Sequence, residues 1–255
     1  MNYVYMIIFF ILGTCMGSFY TVVGLRLPKK EKFLTGRSHC DHCKHDLSLL
    51  DMVPILSYLF LRGKCRYCKE KISSLSTYME LFTGVLFALA YFTFHFNTGF
   101  YFALGIISLL AVIAVSDISY YIIPDEVLIF ATGYFLIINT IFNGVLSSLS
   151  HLLSGIVLFL FMYGIMLLGN AIFKKETLGG GDIKLMFVVG LVLNPFLGLV
   201  VIFLASFIAL PVSIIILWKK NQSLVPFGPF LVTSFLLIYF TKIDMTMIIE
   251  WIKSI

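Results

Sequence analysis

The stretch Leu178-Gly-Gly-Gly-Asp-Ile-Lys184 places an aspartate, Asp182, between a short basic loop and a long apolar run that starts at Ile183. A second aspartate, Asp117, ends another apolar run, in Asp117-Ile-Ser-Tyr-Tyr-Ile-Ile-Pro-Asp125. A carboxylate at the edge of a bilayer is costly to place there and usually has a function. These two aspartates are therefore the first candidates for a functional site in this chain.

The composition indicates a membrane protein. The chain has 255 residues, of which 60% are hydrophobic and 12% are charged, and its mean hydropathy is +1.02. Soluble domains carry about 25% charged residues. The 18 Lys and Arg residues exceed the 13 Asp and Glu residues only modestly, and they do not alternate with aromatic residues on one polar face. We therefore expect a lipid bilayer, and no nucleic acid, as the surroundings of this chain.

Eight apolar runs predict an all-α polytopic membrane protein with about eight transmembrane helices, because a span needs roughly 20 apolar residues. The runs cover residues 3–25, 75–96, 100–116, 124–143, 151–172, 183–193, 196–218 and 226–241. They divide the chain into four parts. These are a first transmembrane helix (1–25), a cytoplasmic four-cysteine domain (26–76), a seven-helix core (77–242) and a short amphipathic tail (243–255).

The distribution of basic residues predicts the orientation. Residues 26–76 hold eleven of the 18 Lys and Arg residues, and cytoplasmic loops are rich in these residues. With the N-terminus outside and eight spans, 16 of the 18 lie on the cytoplasmic side, which leaves only Lys242 and Lys253 outside. Asp117 then ends an inward-going span and Asp182 starts an outward-going one. The orientation therefore predicts that both aspartates lie at the cytoplasmic membrane face.

Two cysteine pairs predict a metal site in the polar domain. Cys40-Asp-His-Cys43 and Cys65-Arg-Tyr-Cys68 are separated by 21 residues, a pattern typical of a structural zinc ion with four thiolate ligands. The alternatives are free thiols and two disulfides, and a reducing cytoplasm disfavours disulfides. The nearby histidines are either substitute ligands or solvated side chains: His39, His42 and His45. Residues 51–60 are apolar enough to pack this domain or to lie on the membrane.

Paired carboxylates can hydrolyse a peptide bond. One takes a proton from water while the other protonates the carbonyl oxygen, and mutual repulsion keeps one proton on the pair. We therefore interpret Asp117 and Asp182 as the catalytic pair of an intramembrane aspartyl protease. We expect Gly179, Gly180 and Gly181 to adopt positive φ and to let the backbone approach closely. The structural alternatives are an N-cap role for Asp182 in a flexible loop and a helix-end carboxylate for Asp117.

Other charged residues near these runs have simpler explanations beside the functional ones. Pro124, Asp125 and Glu126 start a helix, where proline and acidic residues are favourable without any function. The two acids are either structural or in contact with substrate. Glu80, in the first turn of its span, either contacts a positively charged substrate, pairs with a basic residue or is simply placed at a helix end. Lys184 either holds the charge of the aspartate two residues before it or marks the inner interface.

Several short motifs, in order along nearly the whole chain, resemble those of the prepilin peptidases, or type IV prepilin-like leader peptidases, of the GxGD aspartyl protease class. The matching stretches are Gly17-Ser-Phe with Arg26-Leu-Pro28, the paired cysteines, Asp51-Met-Val-Pro54, Arg62-Gly-Lys-Cys65, Asp117 with Ile123-Pro-Asp125, Gly179-Gly-Gly-Asp-Ile-Lys184 and Pro226-Phe-Gly-Pro-Phe230. Each motif alone is weak, but the combination is specific.

The resemblance implies an enzyme of the bacterial cell membrane with Asp117 and Asp182 as catalytic residues. Their supporting residues would be Gly179, Gly181, Pro124, Asp125 and Lys184. It implies removal of a short basic leader from prepilins or pseudopilins at the cytoplasmic membrane face, usually between glycine and a hydrophobic residue. It also implies N-methylation of the new terminus with S-adenosylmethionine, because the cysteine domain is retained. The Phe-, Ile- and Lys-rich composition is typical of a low-GC Gram-positive bacterium, in which such enzymes serve competence pseudopili.

If the resemblance is set aside, the residues are also compatible with two other classes of protein. In a transporter or channel the two aspartates would relay protons or cations. In a membrane assembly factor the cysteine domain would serve as a docking module, and the aspartates would be dispensable. The cysteine pairs and the glycine-rich approach to Asp182 favour the protease over the transporter.

Overall fold

The computed structural model describes residues 2–32, 38–40, 42–175, 177–220 and 225–243. Within these residues the fold is all-α, with nine α-helices, one 3₁₀ helix and no strand. The predicted fold class is therefore confirmed. Arg37 and all but the first residue of the predicted tail (243–255) lie outside the described residues.

The helices follow the apolar runs in order. They are α1 (Asn2–Arg26), a 3₁₀ helix (Leu49–Met52), α2 (Leu56–Phe60), α3 (Leu75–Phe94), α4 (Thr98–Tyr120), α5 (Asp125–Asn143), α6 (Val145–Phe173), α7 (Gly180–Gly190), α8 (Pro195–Lys220) and α9 (Gly228–Thr241). Among the described residues, six helices are long and apolar enough to cross a membrane: α1, α3, α4, α5, α6 and the part of α8 over Pro195–Ile216.

The remaining two predicted spans, α7 and α9, are helical but short. They contain 11 and 14 residues, and at 1.5 Å per residue they reach about 16 and 21 Å, less than the roughly 30 Å of a bilayer core. The chain is thus a multi-pass membrane protein in which eight apolar segments form helices and six of them meet the length of a full span.

Several helices extend beyond the apolar runs that predicted them. Helix α4 continues to Tyr120, so Asp117 lies in its last turn rather than after it, and α6 begins at Val145 rather than at residue 151. In the extra turns of α6, Ser150 Oγ donates a 2.7 Å bond to Ser147 O three residues earlier, and Ser148 Oγ donates a 3.3 Å bond to Leu136 O of α5. Such bonds satisfy polar side chains within a helix. The polar residues before residue 151 therefore belong to α6 and do not mark its start.

The chain divides into two compact units, and the first is Met1–Phe100. Its two long helices, α1 and α3, pack closely where glycines remove the side chain. A Cβ atom on Gly17 would lie 2.8 Å from Glu80 Cα, and a Cβ atom on Gly13 would lie 2.8 Å from Gly84 Cα. Small residues permit this approach in membranes, where packing rather than exclusion of water holds helices together. Gly13 and Gly17 therefore allow the backbones of α1 and α3 to come into direct contact.

The second unit, Tyr101–Ile255, contains most of α4 and all later helices. Its short helix α7 packs against α5, α6, α8 and α9, and its apolar residues Ile183, Leu185, Met186 and Val189 are buried. By contrast, few residues of α6 and α8 are buried, as expected for helices that face lipid. The short helix that carries Asp182 is therefore enclosed by its neighbours.

Candidate active site and four-cysteine centre

Asp182 lies in the first turn of α7, two residues after the helix begins. Gly179 is the N-cap residue, with extended backbone at φ −70° and ψ 136°, and its carbonyl accepts a 3.1 Å bond from the Asp182 N–H. The alternative that Asp182 caps this helix is therefore wrong. An acidic side chain in the first turn is stabilised by the helix dipole, which helps to hold a carboxylate at this position.

The glycines beside Asp182 serve close packing rather than unusual backbone angles. Among the described glycines, only Gly63 and Gly144 have positive φ, so the predicted positive φ at residues 179–181 is wrong. The predicted close approach does occur, because a Cβ atom on Gly181 would lie 2.8 Å from Ile123 Cβ. Gly181 therefore allows the start of α7 to pack against the segment that follows α4.

Asp117 is buried in the last turn of α4 and is held by α9. The N–H of Gly228, the first residue of α9, donates a 3.0 Å hydrogen bond to Asp117 Oδ2. A Cβ atom on Gly228 would lie 2.9 Å from that oxygen and 2.8 Å from Ile123 Cδ1. Gly228 was not among the predicted site residues, although the motif that contains it contributed to the resemblance.

The structure brings Asp117 and Asp182 into one buried site. The two carboxylates are close enough for the charge of Asp117 to act on Asp182. Ile123 lies beside both Gly181 and Gly228, so a single side chain packs against the backbone next to each aspartate. Asp182 Oδ1 has no hydrogen-bond partner, and no basic side chain of the described residues forms an ion pair with either carboxylate.

This arrangement is unfavourable for two negative charges and favourable for one. A buried carboxylate without a partner is expensive, and two adjacent carboxylates retain one proton between them. The pair is therefore equipped to accept one proton and to donate another, and Asp182 Oδ1 is buried without a hydrogen-bond partner. Such a pair titrates as one unit.

The other predicted residues around the pair form a separate, more exposed contact. Lys184 Nζ lies 2.7 Å from both carboxylate oxygens of Asp125, so the structure pairs Lys184 with Asp125 rather than with Asp182. This ion pair joins the second turn of α7 to the first residue of α5. Pro124 is the buried N-cap of α5, and Glu126 is exposed in its first turn.

Loss of this ion pair is expected to change stability little. The side chains of Lys184 and Asp125 are 51% and 58% exposed, and exposed ion pairs contribute about 0–1 kcal/mol. We expect Lys184→Met to change the free energy of unfolding by about 1 kcal/mol at most. A double-mutant cycle with Asp125→Asn, followed by denaturant unfolding in detergent, measures the coupling. A coupling energy of several kcal/mol would show that the pair is shielded from water.

The four predicted metal ligands converge in the first unit. The sulfur atoms of Cys40, Cys43, Cys65 and Cys68 all lie within 4.8 Å of one another, and Cys40 Sγ is 3.9 Å from Cys68 Sγ. All five cysteines of the chain are free, so the disulfide alternative is wrong. Thiolates at 2.3 Å around a tetrahedral zinc ion lie about 3.8 Å apart. The observed cluster therefore fits zinc with a contraction of at most about 1 Å.

Both cysteine pairs are built on the same turn. In the first, Lys44 N–H donates to Cys40 O at 2.9 Å, and in the second, Lys69 N–H donates to Cys65 O at 3.1 Å. Both lysines have positive φ, 56° and 61°. The repetition of one turn orients two thiols from each pair toward a common point, which is the geometry of a zinc knuckle.

The sulfur atoms oppose one another's ionisation. Backbone N–H groups of Cys68 and Tyr67 favour the Cys65 thiolate and lower the pKa of Cys65 to about 6. The backbone N–H of Glu70 favours the Cys68 thiolate, but burial and the sulfur atoms of the other three cysteines outweigh it, and the pKa of Cys68 is raised to about 11. One thiolate forms readily in this cluster, whereas a second is resisted by the first.

Asp51 joins the two halves of the cysteine module (residues 38–72). Its carboxylate accepts hydrogen bonds from Arg66 Nε at 2.6 Å and from Ser48 N and Oγ at 3.1 and 2.7 Å. Burial would raise the pKa of Asp51, but the bonds from Ser48 and Arg66 prevail and lower it. His45 stacks on Tyr67 with ring centroids 3.6 Å apart. These contacts connect the module independently of a metal ion.

Glu80 connects the cysteine module to α3. Its side chain is buried, and its oxygens accept bonds from Ile55 N at 2.8 Å and from Ser76 Oγ at 3.1 Å. No basic side chain of the described residues forms an ion pair with it. Ile55 has φ of 60°, an uncommon conformation for a β-branched residue, and the bond to Glu80 helps to hold it. Glu80 thus has a structural partner in this chain, whichever substrate contact it also makes.

Comparisons with known proteins show the family of this chain. A family profile described as the bacterial peptidase A24 N-terminal domain matches residues 11–94, and one described as the type IV leader peptidase family matches residues 104–214. A prepilin leader peptidase/N-methyltransferase of Bacillus subtilis is 38% identical over 187 residues, which is 73% of each chain. The chain belongs to the type IV leader peptidase family. Both candidate catalytic aspartates fall within the part matched by that profile.

Other members of the family cover nearly the whole chain. A prepilin leader peptidase/N-methyltransferase of Vibrio cholerae is 30% identical over 94% of this chain and 98% of its own length. A type 4 prepilin-like proteins leader peptide-processing enzyme of Escherichia coli is 29% identical over 85% of this chain and 87% of its own. No solved structure matches the chain. Membership of the type IV leader peptidase family decides against the transporter and assembly-factor hypotheses.

Proposed function

We propose that this chain removes the basic leader peptide from type IV prepilins or pseudopilins, with Asp117 and Asp182 as its catalytic residues. The observation that carries the proposal is the buried carboxylate pair, in which Asp117 is held by the Gly228 N–H and Asp182 Oδ1 has no partner. The names of the relatives, prepilin leader peptidase/N-methyltransferase, supply the substrate class.

The pair supports a reaction in which each proton has a source and a destination. The ionised carboxylate takes a proton from a water molecule, whose oxygen attacks the scissile carbonyl carbon. The protonated carboxyl group gives its proton to the carbonyl oxygen, and a tetrahedral diol results. As the C–N bond breaks, one carboxyl group protonates the leaving amine and the other accepts a proton from the diol, so the pair returns with one proton.

The proposed location of the reaction is the cytoplasmic face of the bacterial cell membrane. The distribution of basic residues supports it, since eleven of the 18 Lys and Arg residues lie in residues 26–76, between the first two spans. Asp117 in the last turn of α4 and Asp182 in the first turn of α7 then lie at the same face. A basic leader that stays on this side would reach the site without crossing the bilayer.

Relatives of this chain are also named N-methyltransferases, so we propose that it methylates the new N-terminus. S-adenosylmethionine carries the methyl group in such reactions. A cavity of about 550 Å³ lies between α5, α6 and α7, but apart from Asp125 and Lys184 its lining is almost entirely apolar. Adenosine, carboxylate and sulfonium groups need several polar partners, so this cavity does not fit S-adenosylmethionine and we assign no methylation step to it.

We also propose that Cys40, Cys43, Cys65 and Cys68 hold one structural zinc ion. The convergence of their sulfur atoms within 4.8 Å supports this assignment. Bound zinc would neutralise thiolates that otherwise repel one another, and it would fix the two knuckles in one arrangement. Four protein ligands close the coordination sphere, so the ion would serve folding and not hydrolysis.

Protein purified without chelator is expected to contain about one zinc ion per chain. Cys40→Ser removes a buried ligand and should lower the zinc content by at least tenfold at low free zinc, because three ligands bind more weakly than four. Elemental analysis and thiol titration measure both quantities. The matched control is Cys15→Ser, which lies outside the cluster. Absence of zinc with four readily titrated thiols in the unaltered protein would contradict the assignment.

The proposed function is tested with purified protein in bilayers and a pseudopilin that carries a basic leader. Mass spectrometry of the product N-terminus reports leader removal, and added S-adenosylmethionine reports methylation through the mass of one methyl group. We expect cleavage without added methyl donor and methylation only after cleavage. An intact pseudopilin at all protein concentrations would overturn the assignment of substrate class.

A further inference from the structure

The cysteine module carries an apolar surface that does not pack into its own interior. No residue of the 3₁₀ helix or of α2 is buried. Five large side chains in these two elements are between 51% and 83% exposed, and we refer to them as the apolar patch: Leu49, Leu50, Leu56, Leu59 and Phe60. Soluble surfaces rarely carry a contiguous apolar area of this kind without a partner.

Helix α2 has one side on the module and one side outside it. Tyr58 packs on the module, since a Cβ atom on Gly63 would lie 2.8 Å from Tyr58 Oη. Leu56, Leu59 and Phe60 are spaced by three and four residues, so they share one face of this helical turn, and all three are exposed. The outward face is thus uniformly apolar.

The bond from Ile55 N to Glu80 Oε2 fixes the depth of the patch relative to the membrane. Helix α3 begins at Leu75 and is apolar and long enough to span, and Glu80 lies about 7 to 8 Å along it. Tyr78, in the first turn of α3, is 68% exposed, as is usual for aromatic residues at the bilayer interface. Since Ile55 immediately precedes α2, the apolar patch starts at the level of the headgroups and the first part of the acyl chains.

Basic side chains accompany the patch. Four exposed cations follow α2 within eleven residues of Phe60, in addition to Arg66, which is paired with Asp51: Arg62, Lys64, Lys69 and Lys71. Apolar side chains beside Lys and Arg are the composition that binds the interface of a membrane with anionic lipids. Binding of a protein partner to the apolar patch would not by itself require basic residues beside the patch, nor a position at the end of a spanning helix.

We propose that the apolar patch inserts into the interface of an anionic bilayer and holds the cysteine module on the membrane surface. This contact with the bilayer differs from that of the transmembrane helices, because the 3₁₀ helix and the short helix α2 do not cross the membrane. The consequence is that the knuckles are kept close to the plane at which a membrane-bound substrate emerges. This inference does not depend on the proposed peptidase activity.

The test uses the full chain in nanodiscs with tryptophan as a depth probe. The natural tryptophans are replaced in Trp218→Phe and Trp251→Phe, and Phe60→Trp is introduced as the only tryptophan. Phospholipids brominated near the headgroup end of the acyl chain quench only an inserted indole. We expect them to lower the Phe60→Trp emission by about twofold or more, with a larger decrease when phosphatidylglycerol is added to phosphatidylcholine. Glu70→Trp, at an exposed position of the cysteine module outside the patch, is the matched probe.

Each outcome bears on the proposal. Quenching of Phe60→Trp by brominated lipid, with weaker quenching of Glu70→Trp, supports insertion of the patch. Emission typical of water together with quenching by aqueous iodide would overturn it, because the patch would then be solvated. Protection from both lipid bromine and iodide would also overturn it and indicate a protein partner, such as a second copy of this chain. Zinc content and thiol reactivity equal to those of the starting protein verify that each variant is folded.

Discussion

Replacement of either Asp117 or Asp182 by asparagine is expected to abolish leader removal, with a loss of at least about 1,000-fold in rate. Asparagine keeps the size and polarity of the side chain but can neither accept nor release a proton in this reaction. Because the two carboxylates act as one unit, either single change should remove nearly as much activity as both together. The measurement is cleavage of a pseudopilin in bilayers, scored by the N-terminal mass of the product.

The aspartate variants should lose activity without losing thermal stability. Both carboxylates are buried, and Asp182 Oδ1 has no hydrogen-bond partner, so a neutral amide at residue 182 removes the repulsion between two adjacent buried carboxyl groups. We expect Asp182→Asn to unfold at the same temperature as the unaltered protein or above it. Glu70→Gln, an exposed acid in the cysteine module, is the matched control and should cleave normally. Full cleavage by both aspartate variants would show that the pair is structural.

Addition of one methyl group at Gly228 is expected to cause the second largest loss, about 100-fold in cleavage rate. In Gly228→Ala the new Cβ would lie 2.9 Å from Asp117 Oδ2 and 2.8 Å from Ile123 Cδ1. Both distances are shorter than van der Waals contact, so the Asp117 carboxylate or α9 has to move. A displacement of about 1 Å is enough to disturb proton transfer between precisely placed groups. The loss should appear in kcat more than in KM.

Two further variants separate this effect from general damage. Gly133→Ala is the matched control, because a Cβ atom there would have no neighbour within 4 Å, and alanine favours the interior of α5. It should retain full activity. Ile123→Val, combined with Gly228→Ala, removes the Cδ1 contact and leaves the contact with Asp117. Recovery of activity in the double variant would show that Ile123, and not the carboxylate, is the group displaced.

The sequence alone predicted a large part of this protein because lipid imposes simple requirements. Apolar runs identified every long helix, since each backbone polar group in a bilayer must be satisfied within its own helix. The spacing of the cysteines predicted a four-thiolate cluster, and the sulfur atoms of Cys40 and Cys68 do lie together. The excess of basic residues in one loop and the two isolated aspartates in apolar surroundings led to the orientation and the catalytic residues proposed above, and these stay predictions.

The tertiary structure decided what depends on contacts between distant segments. Hydropathy could not place the end of α4 after Asp117, because satisfied polar side chains are tolerated within a helix. The residues around Asp182 gave no sign that Lys184 pairs with Asp125, 59 residues away. Nor did they show that Gly228, 111 residues from Asp117, donates the hydrogen bond that holds it. The sequence determined which groups this protein carries into the membrane, whereas close helix packing decided which of those groups meet.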